Sequence, residues 1–380
     1  MTKPPRALRT RALVTVGTAM TPAAWAQAFD AAPHRRDAAR STWRAPGDGA
    51  AGRREPVHPQ WRSQDGLAGR LRIGTLTSAL ACFLLAGCAA FNYTGPDSPL
   101  AQTSLQPLEP RPGVALVLSS GGPRGYAHIG VMRVLEEAGI EVDLVVGTSV
   151  GSLLGVFWAE GRSAADIDAL SETGGPLTLF DLSLFADRGW IHGQRLQDYV
   201  NTHLGDKSIE QLRRRVIVGA TRRGDKAPVF FASGNAGVAV RASSAVPGIL
   251  SPVGINGTEY EDGDESLPLA VRAARQAGAQ FVIAVDVTPR LETAPPDTTQ
   301  TQRERVAKRR ARIAPEAAQA DFLLDAGLVW EASPLPSYFR YARSTGEESA
   351  RRQLPQLVAR LQQQGLVPST LVRIRPANPS

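Results

Sequence analysis

Two strand-turn-helix units within about fifty residues constrain this chain more than any other feature. Val114-Ala115-Leu116-Val117-Leu118-Ser119 is an apolar run of strand length. It ends in Ser120-Gly121-Gly122-Pro123-Arg124-Gly125, after which Ile129, Met132, Val134 and Leu135 recur at helical spacing until Gly139. The pattern then repeats, with a second strand at residues 142–146, a second tight turn at residues 147–151 and a helix over residues 152–160 that stops at Gly161. Strands without a polar face, joined through helices, pair in parallel and are covered on both sides. Further strands are predicted at residues 215–220, 228–231 and 280–286, and helices at 269–277, 320–328 and 347–364. The expected fold is α/β, with three layers and a mostly parallel central sheet flanked by helices.

Composition matters mainly for its distribution. The formal charge of +7 resides in residues 1–70, which hold twelve Lys/Arg and five Asp/Glu, and the rest of the chain is balanced. No basic footprint covers the body, so a nucleic-acid partner is not expected. A local basic run, residues 303–312, reads as a solvated surface helix or loop, with contact to anionic lipid headgroups as the alternative. The two cysteines, Cys82 and Cys88, exclude a disulfide framework or a Cys-rich metal site. Both lie in the uncharged stretch 73–91, preceded by Arg70 and Arg72 and containing Leu85-Ala86-Gly87-Cys88, which reads as an export signal. The tetrapeptide resembles the bacterial lipobox, and the resemblance implies acylation of Cys88 and an anchor in the cell envelope. Ala89, with no Asp there, favours the outer membrane over the inner. A single signal-anchor helix is the alternative reading. The expected organisation is therefore 1–70 disordered or preceding the true start, 71–88 signal peptide, 89–112 tether, 113–290 catalytic domain, and 291–380 a basic linker with a helical extension.

The chemistry is concentrated in Gly147-Thr148-Ser149-Val150-Gly151. A Gly-x-Ser-x-Gly segment between a buried strand and a helix is a nucleophile elbow: it exposes the Ser149 hydroxyl at a helix N-terminus, while Gly147 and Gly151 carry no side chains to collide with their surroundings. A serine nucleophile needs a base. The five histidines, at 34, 58, 128, 192 and 203, all precede Asp262, so the order serine, acid, histidine of α/β-hydrolases is unavailable. His128 reads as a structural hydrogen-bonding residue. The remaining candidate is Asp262, within Tyr260-Glu261-Asp262-Gly263-Asp264, a carboxylate at the end of a strand whose pKa partial burial would raise.

These residues resemble the patatin-like phospholipases, in which a Ser-Asp dyad works without histidine. The resemblance runs from about residue 113 to 287, through the glycine turn with Tyr126-Ala127-His128-Ile129-Gly130, the elbow, Arg241-Ala242-Ser243-Ser244-Ala245-Val246-Pro247-Gly248, Asp262-Gly263, and the strand ending in Asp286. It implies that Ser149 is the nucleophile and Asp262 the general base, and that the N–H groups of Gly121, Gly122, Arg124 and Gly125 form an oxyanion hole. Arg124 either holds a phosphate or packs its own turn. No metal or other cofactor is implied. The implied substrate is a phospholipid or other acyl lipid, met at a membrane through lipidated Cys88, and apolar residues between Leu177 and Trp190 face acyl chains or pack the core. Two positions depart from the family pattern: Ser120 stands for a glycine, and Asp264 for the small residue usual after Asp-Gly. They motivate the alternative of a catalytically silent lipoprotein that binds or scaffolds in the envelope.

Overall fold

The strand predicted at residue 114 is buried along its whole length, and its side chains divide between two apolar cores. Val114, Leu116 and Leu118 join one; Ala115 and Val117 join the other. A strand of this kind has to be covered twice. The protein is a computed structural model that describes residues 92–173, 179, 181, 186 and 188–367. Its elements are β1 (Asn92–Tyr93), β2 (Ala101–Gln102), β3 (Val114–Leu118), α1 (Ala127–Glu137), β4 (Leu144–Thr148), α2 (Val150–Ala159), α3 (Ala164–Thr173), α4 (Gln194–Leu204), β5 (Arg215–Arg222), β6 (Pro228–Phe231), α5 (Ala236–Ser243), β7 (Val253–Ile255), β8 (Thr258–Glu261), α6 (Val271–Gln276), β9 (Phe281–Asp286), α7 (Gln300–Ala317), β10 (Phe322–Asp325) and α8 (Pro336–Gln363).

The centre of the sheet is parallel, in the order β5-β4-β3-β9-β10, as the repeated strand-turn-helix units require. Beyond β5 the pairing turns antiparallel, to β6 and to β8, and β8 in turn pairs with β7. On one face lie α1, α2, α5 and α8, contributing among others Ile129, Phe157, Val240 and Leu357. On the other lie α6 and one turn of α7, through Val271, Ala274 and Ile313. The architecture is the expected α/β fold with helices on both faces of a mostly parallel sheet.

Three expectations change. Residues 92–112, read as a tether, belong to the fold: β1 pairs with β7, β2 pairs with β6, and Leu105 is buried. The segment predicted helical over 320–328 is instead the edge strand β10. Alternation of buried Phe322 and Leu324 with exposed Leu323 has the period of a strand, and pairing to β9 satisfies its backbone. The basic run is a helix, as allowed, and is solvated along one side only, with Glu304, Arg305 and Lys308 exposed. In α7, Glu316 is wholly buried and paired with Arg272, while Arg309, Arg310 and Arg312 point inward. Residues 1–70, the stretch 73–91 and Cys88 lie outside the described residues. No described helix is long and apolar enough to cross a membrane.

Candidate active site

The C-terminal ends of β3 and β4 and the loop after β8 meet at one edge of the sheet, where ligands bind in open α/β folds. Ser149 caps α2 with φ 53° and ψ −125°, a conformation that costs a non-glycine residue on the order of 1–3 kcal/mol and persists only when its surroundings impose it. Here they do. A Cβ on Gly147 would sit 2.5 Å from Gly151 O, and one on Gly151 would sit 2.4 Å from Leu118 O, so the elbow closes on itself and against the end of β3. The Ser149 N–H donates to Ser243 Oγ at 2.7 Å, and that hydroxyl donates to Gly219 O at 2.6 Å, tying the elbow to α5 and β5. The Ser149 carbonyl accepts from Ser152 Oγ at 2.6 Å.

Asp262 follows β8 and caps the short 3₁₀ turn Gly263–Glu265. Gly263 lets that turn press against the elbow strand, since a Cβ there would meet Thr148 Cγ2 at 2.5 Å and Gly219 O at 2.7 Å. The result brings together two side chains 113 positions apart: Ser149 Oγ donates to Asp262 Oδ2 at 2.7 Å. The other carboxylate oxygen, Oδ1, accepts the Asp264 N–H at 2.7 Å, so both are engaged. Asp262 is 2% exposed. Burial, opposed by the Ser149 hydrogen bond and the Arg309 charge and assisted by Glu265 and Glu261, raises its pKa to about 7.

The glycine turn lies beside this pair. Neither the Gly121 nor the Gly122 N–H has an acceptor among the described residues, and both glycines line the cavity above Ser149. The other two expected hole members do different work. The Arg124 N–H is spent on Gly121 O at 3.2 Å, and its guanidinium donates to the Trp330 carbonyl. Gly125 serves by lacking a side chain, because a Cβ there would overlap Val150 at 2.2 Å. His128 is buried, with its ring on Ser119 O at 2.9 Å and its pKa lowered by burial to about 4, so its neutral Nε2–H braces the end of β3.

The cavity holds about 570 Å³. One wall is apolar, with Leu153, Leu196, Val246, Leu250 and Phe339; Leu179 also lines it, whereas Trp190 is 65% exposed. Leu177, Phe180, Leu182, Leu184 and Phe185 lie outside the described residues. A polar part of the lining comes from α7, through Gln302, Arg305, Arg309 and Arg312. Sequence reasoning did not bring α7 to the site. The signal was present in the inward spacing of Arg309 and Arg312, but a basic run ordinarily faces water. Ser120 and Asp264, singled out separately as departures, are bonded to each other, and Arg309 bonds to both.

Residues 116–269 match the family model for patatin-like phospholipase. An uncharacterized NTE family protein of Mycobacterium tuberculosis is 35% identical over 182 residues, covering 46% of this chain and 49% of that protein. Lysophospholipase nte1 of Aspergillus fumigatus is 33% identical over 184 residues, 46% of this chain and 12% of its own length. Patatin-like phospholipase domain-containing protein 6 of Homo sapiens is 36% identical over 188 residues, 47% and 14% respectively. The chain thus spans about half the length of the first of these relatives and far less of the others. The crystal structure of VipD from Legionella pneumophila superposes with a TM-score of 0.44 at 13% identity, over 68% of this chain and 71% of that one. The matched stretch takes in the glycine turn, the elbow and the Asp-Gly turn that the sheet edge brings together, and this stretch, residues 116–269, is what the chain shares with the patatin-like phospholipases.

Proposed function

We propose that the chain is a serine lipid acyl hydrolase of the phospholipase A or lysophospholipase type, using Ser149 as nucleophile and Asp262 as general base. We further propose that lipidation of Cys88 tethers it to a membrane of the bacterial envelope, the outer membrane in a two-membrane cell. The observation that carries the catalytic part is the 2.7 Å hydrogen bond from Ser149 Oγ to a buried carboxylate whose pKa is about 7. A base poised near neutrality suits abstraction of a hydroxyl proton.

In this mechanism Asp262 takes the Ser149 proton as Oγ attacks the ester carbonyl. Charge developing on the carbonyl oxygen meets the Gly121 and Gly122 amides and the N-terminus of α2. Protonated Asp262 then gives its proton to the departing alcohol, leaving an acyl-serine. Water, deprotonated by the same carboxylate, attacks the acyl-serine carbonyl; the acyl–Oγ bond breaks, Asp262 returns the proton to Ser149 Oγ, and the fatty acid leaves. The apolar wall accommodates an acyl chain, and the polar wall from α7 faces the glycerol side. A relative named lysophospholipase supports a lipid ester as substrate. Ser120 and Asp264 satisfy each other beside the hydrogen-bonded Ser149–Asp262 pair, which supports an active site over a silent module.

Purified chain incubated with a p-nitrophenyl acyl ester, phosphatidylcholine, lysophosphatidylcholine and triacylglycerol tests the reading. Hydrolysis of at least one, falling to the buffer rate in Ser149→Ala and Asp262→Asn, is the expected outcome. A parent rate equal to buffer on all four would return the chain to the silent-module alternative.

A further inference from the structure

Outside the Ser149–Asp262 pair, a cluster of partly buried charged side chains packs against the site. Arg309, on α7 and beyond the segment that matches the family model, reaches three separate loops. Its Nη2 donates to Ser120 O at 2.7 Å, its Nη1 to Ser120 Oγ at 3.1 Å, and its Nε to Thr288 Oγ1 at 3.0 Å. The same guanidinium forms an ion pair with Asp264, whose carboxylate also accepts from Ser120 Oγ. Arg312, one turn on, donates to the Asp264 and Glu265 carbonyls at 2.6 and 2.7 Å. Asp264 is the residue whose N–H holds Asp262 Oδ1. The contacts therefore run from α7 through Asp264 to the carboxylate that faces Ser149, and in parallel through Ser120 to the glycine turn.

We propose that Arg309 is a positioning residue of the ester-cleaving site: by clamping Asp264 to Ser120 it fixes both the Asp262 carboxylate and the glycine turn against Ser149. This rests on the hydrolase reading above. Without the guanidinium, Asp264 would be an uncompensated carboxylate two residues from the base. Its neighbours would not replace the lost charge. Asp262 is faced by the carboxylates of Glu261 and Glu265; Glu261 is paired with Lys226, and Arg312 donates to carbonyls. Arg124 and Arg310 surround Arg309 rather than Asp264, with Arg310 donating to Pro289 O and Thr288 O. A glycine and a small residue at positions 120 and 264 would need no such clamp, so the serine, the aspartate and the arginine form one unit.

The test uses the full chain in three variants: Arg309→Gln, Arg309→Lys and the neutral double variant Arg309→Gln/Asp264→Asn. The Asp262 protonation midpoint is read by ¹³C NMR of aspartate-labelled protein without substrate, its resonance assigned by loss in Asp262→Asn. Because this readout needs no turnover, an inert parent would refute the hydrolase reading and leave the clamp measurable. Arg309→Gln is expected to raise the midpoint by about one pH unit and lower kcat near pH 7 about tenfold. Arg309→Lys keeps the charge but not the fork, so kcat falls with the midpoint held. The double variant removes both charges and should return the midpoint most of the way to that of the parent, with a kcat between those of Arg309→Gln and the parent. The inference fails if Arg309→Gln matches the parent in both readouts, if Arg309→Lys is fully active, or if the double variant is as impaired as Arg309→Gln. Should Arg309→Gln alone fail to fold, the other two variants still decide: a folded double variant with a parental midpoint upholds the clamp, and one whose midpoint stays raised overturns it.

Discussion

Replacing Asp262 by Asn should abolish activity and make the protein more stable above neutral pH. Burial holds the Asp262 carboxyl at about 7 against an ordinary 3.8. A folded-state pKa above the unfolded value means that the native protein binds the proton more tightly. The contribution of this group to stability is therefore complete below pH 3.8, is lost as pH rises towards about 7, and stays lost above that. At about 1.4 kcal/mol per pH unit, that interval of roughly three units amounts to about 4 kcal/mol of destabilisation at pH 8. Asn never ionises and conserves the local contacts: Oδ1 still accepts the Asp264 N–H, and Nδ2 donates to Ser149 Oγ in the reverse sense of the native bond. Allowing for relaxation around the ionised group, the variant should gain about 2–4 kcal/mol at pH 8, shrinking towards zero near pH 4. Urea unfolding of parent and variant at pH 8, 6 and 4.5 reads the difference, and groups such as His128 that titrate in both proteins cancel. A variant no more stable than the parent at pH 8, or a gain that does not shrink on acidification, would refute the argument that burial of this carboxylate sets its pKa.

Ser243→Ala removes the acceptor of the Ser149 N–H and should cost about 1–3 kcal/mol while lowering kcat, as thermal melts and ester hydrolysis would report. The imidazole of His128, pushed down to about 4, contributes stability that is present above pH 6.5 and lost as pH falls through about 4. His128→Gln, which can still donate to Ser119 O, should lose less stability than the parent between pH 7 and 4.5 and keep the acid limb of its rate profile near pH 7. Under the envelope proposal, Cys88→Ala should move the chain from the membrane to the soluble fraction of lysed cells, read by immunoblot; unchanged membrane recovery would speak for a different anchor.

The pair at the centre of the site was legible because both members sit beside glycines with a structural reason. Gly147 and Gly151 mark a turn too tight for Cβ atoms, Gly263 marks a close approach to Thr148, and each glycine points to the side chain next to it. The parallel core was legible for a similar reason, since runs such as residues 114–118 have no polar face. What escaped depended on pairing across long separations. Strands of two residues, such as Asn92–Tyr93, carry no period of their own and exist because β7 offers them a partner. The short strand at residues 322–325 reads as a helix in sequence because four residues are too few to separate one period from the other.

Ser120 and Asp264 illustrate the deeper limit. Taken singly, each is a departure from a motif, a side chain where the pattern has none and a charge where the pattern is neutral, and each counts against activity. Placing a partly buried carboxylate beside the buried Asp262 carboxylate is unfavourable unless a cation accompanies it. The cation here, Arg309, comes from a helix 45 positions further along the chain, in a basic run whose composition predicts exposure. Motif reading assigns a sign to each substitution separately, but the energetics depend on the set: hydroxyl, carboxylate and guanidinium are each costly alone in this interior and acceptable together. The polar wall of the cavity and the brace behind Asp262 are thus the same structure, which is why changing the charge of α7 should alter the protonation of a carboxylate it does not touch.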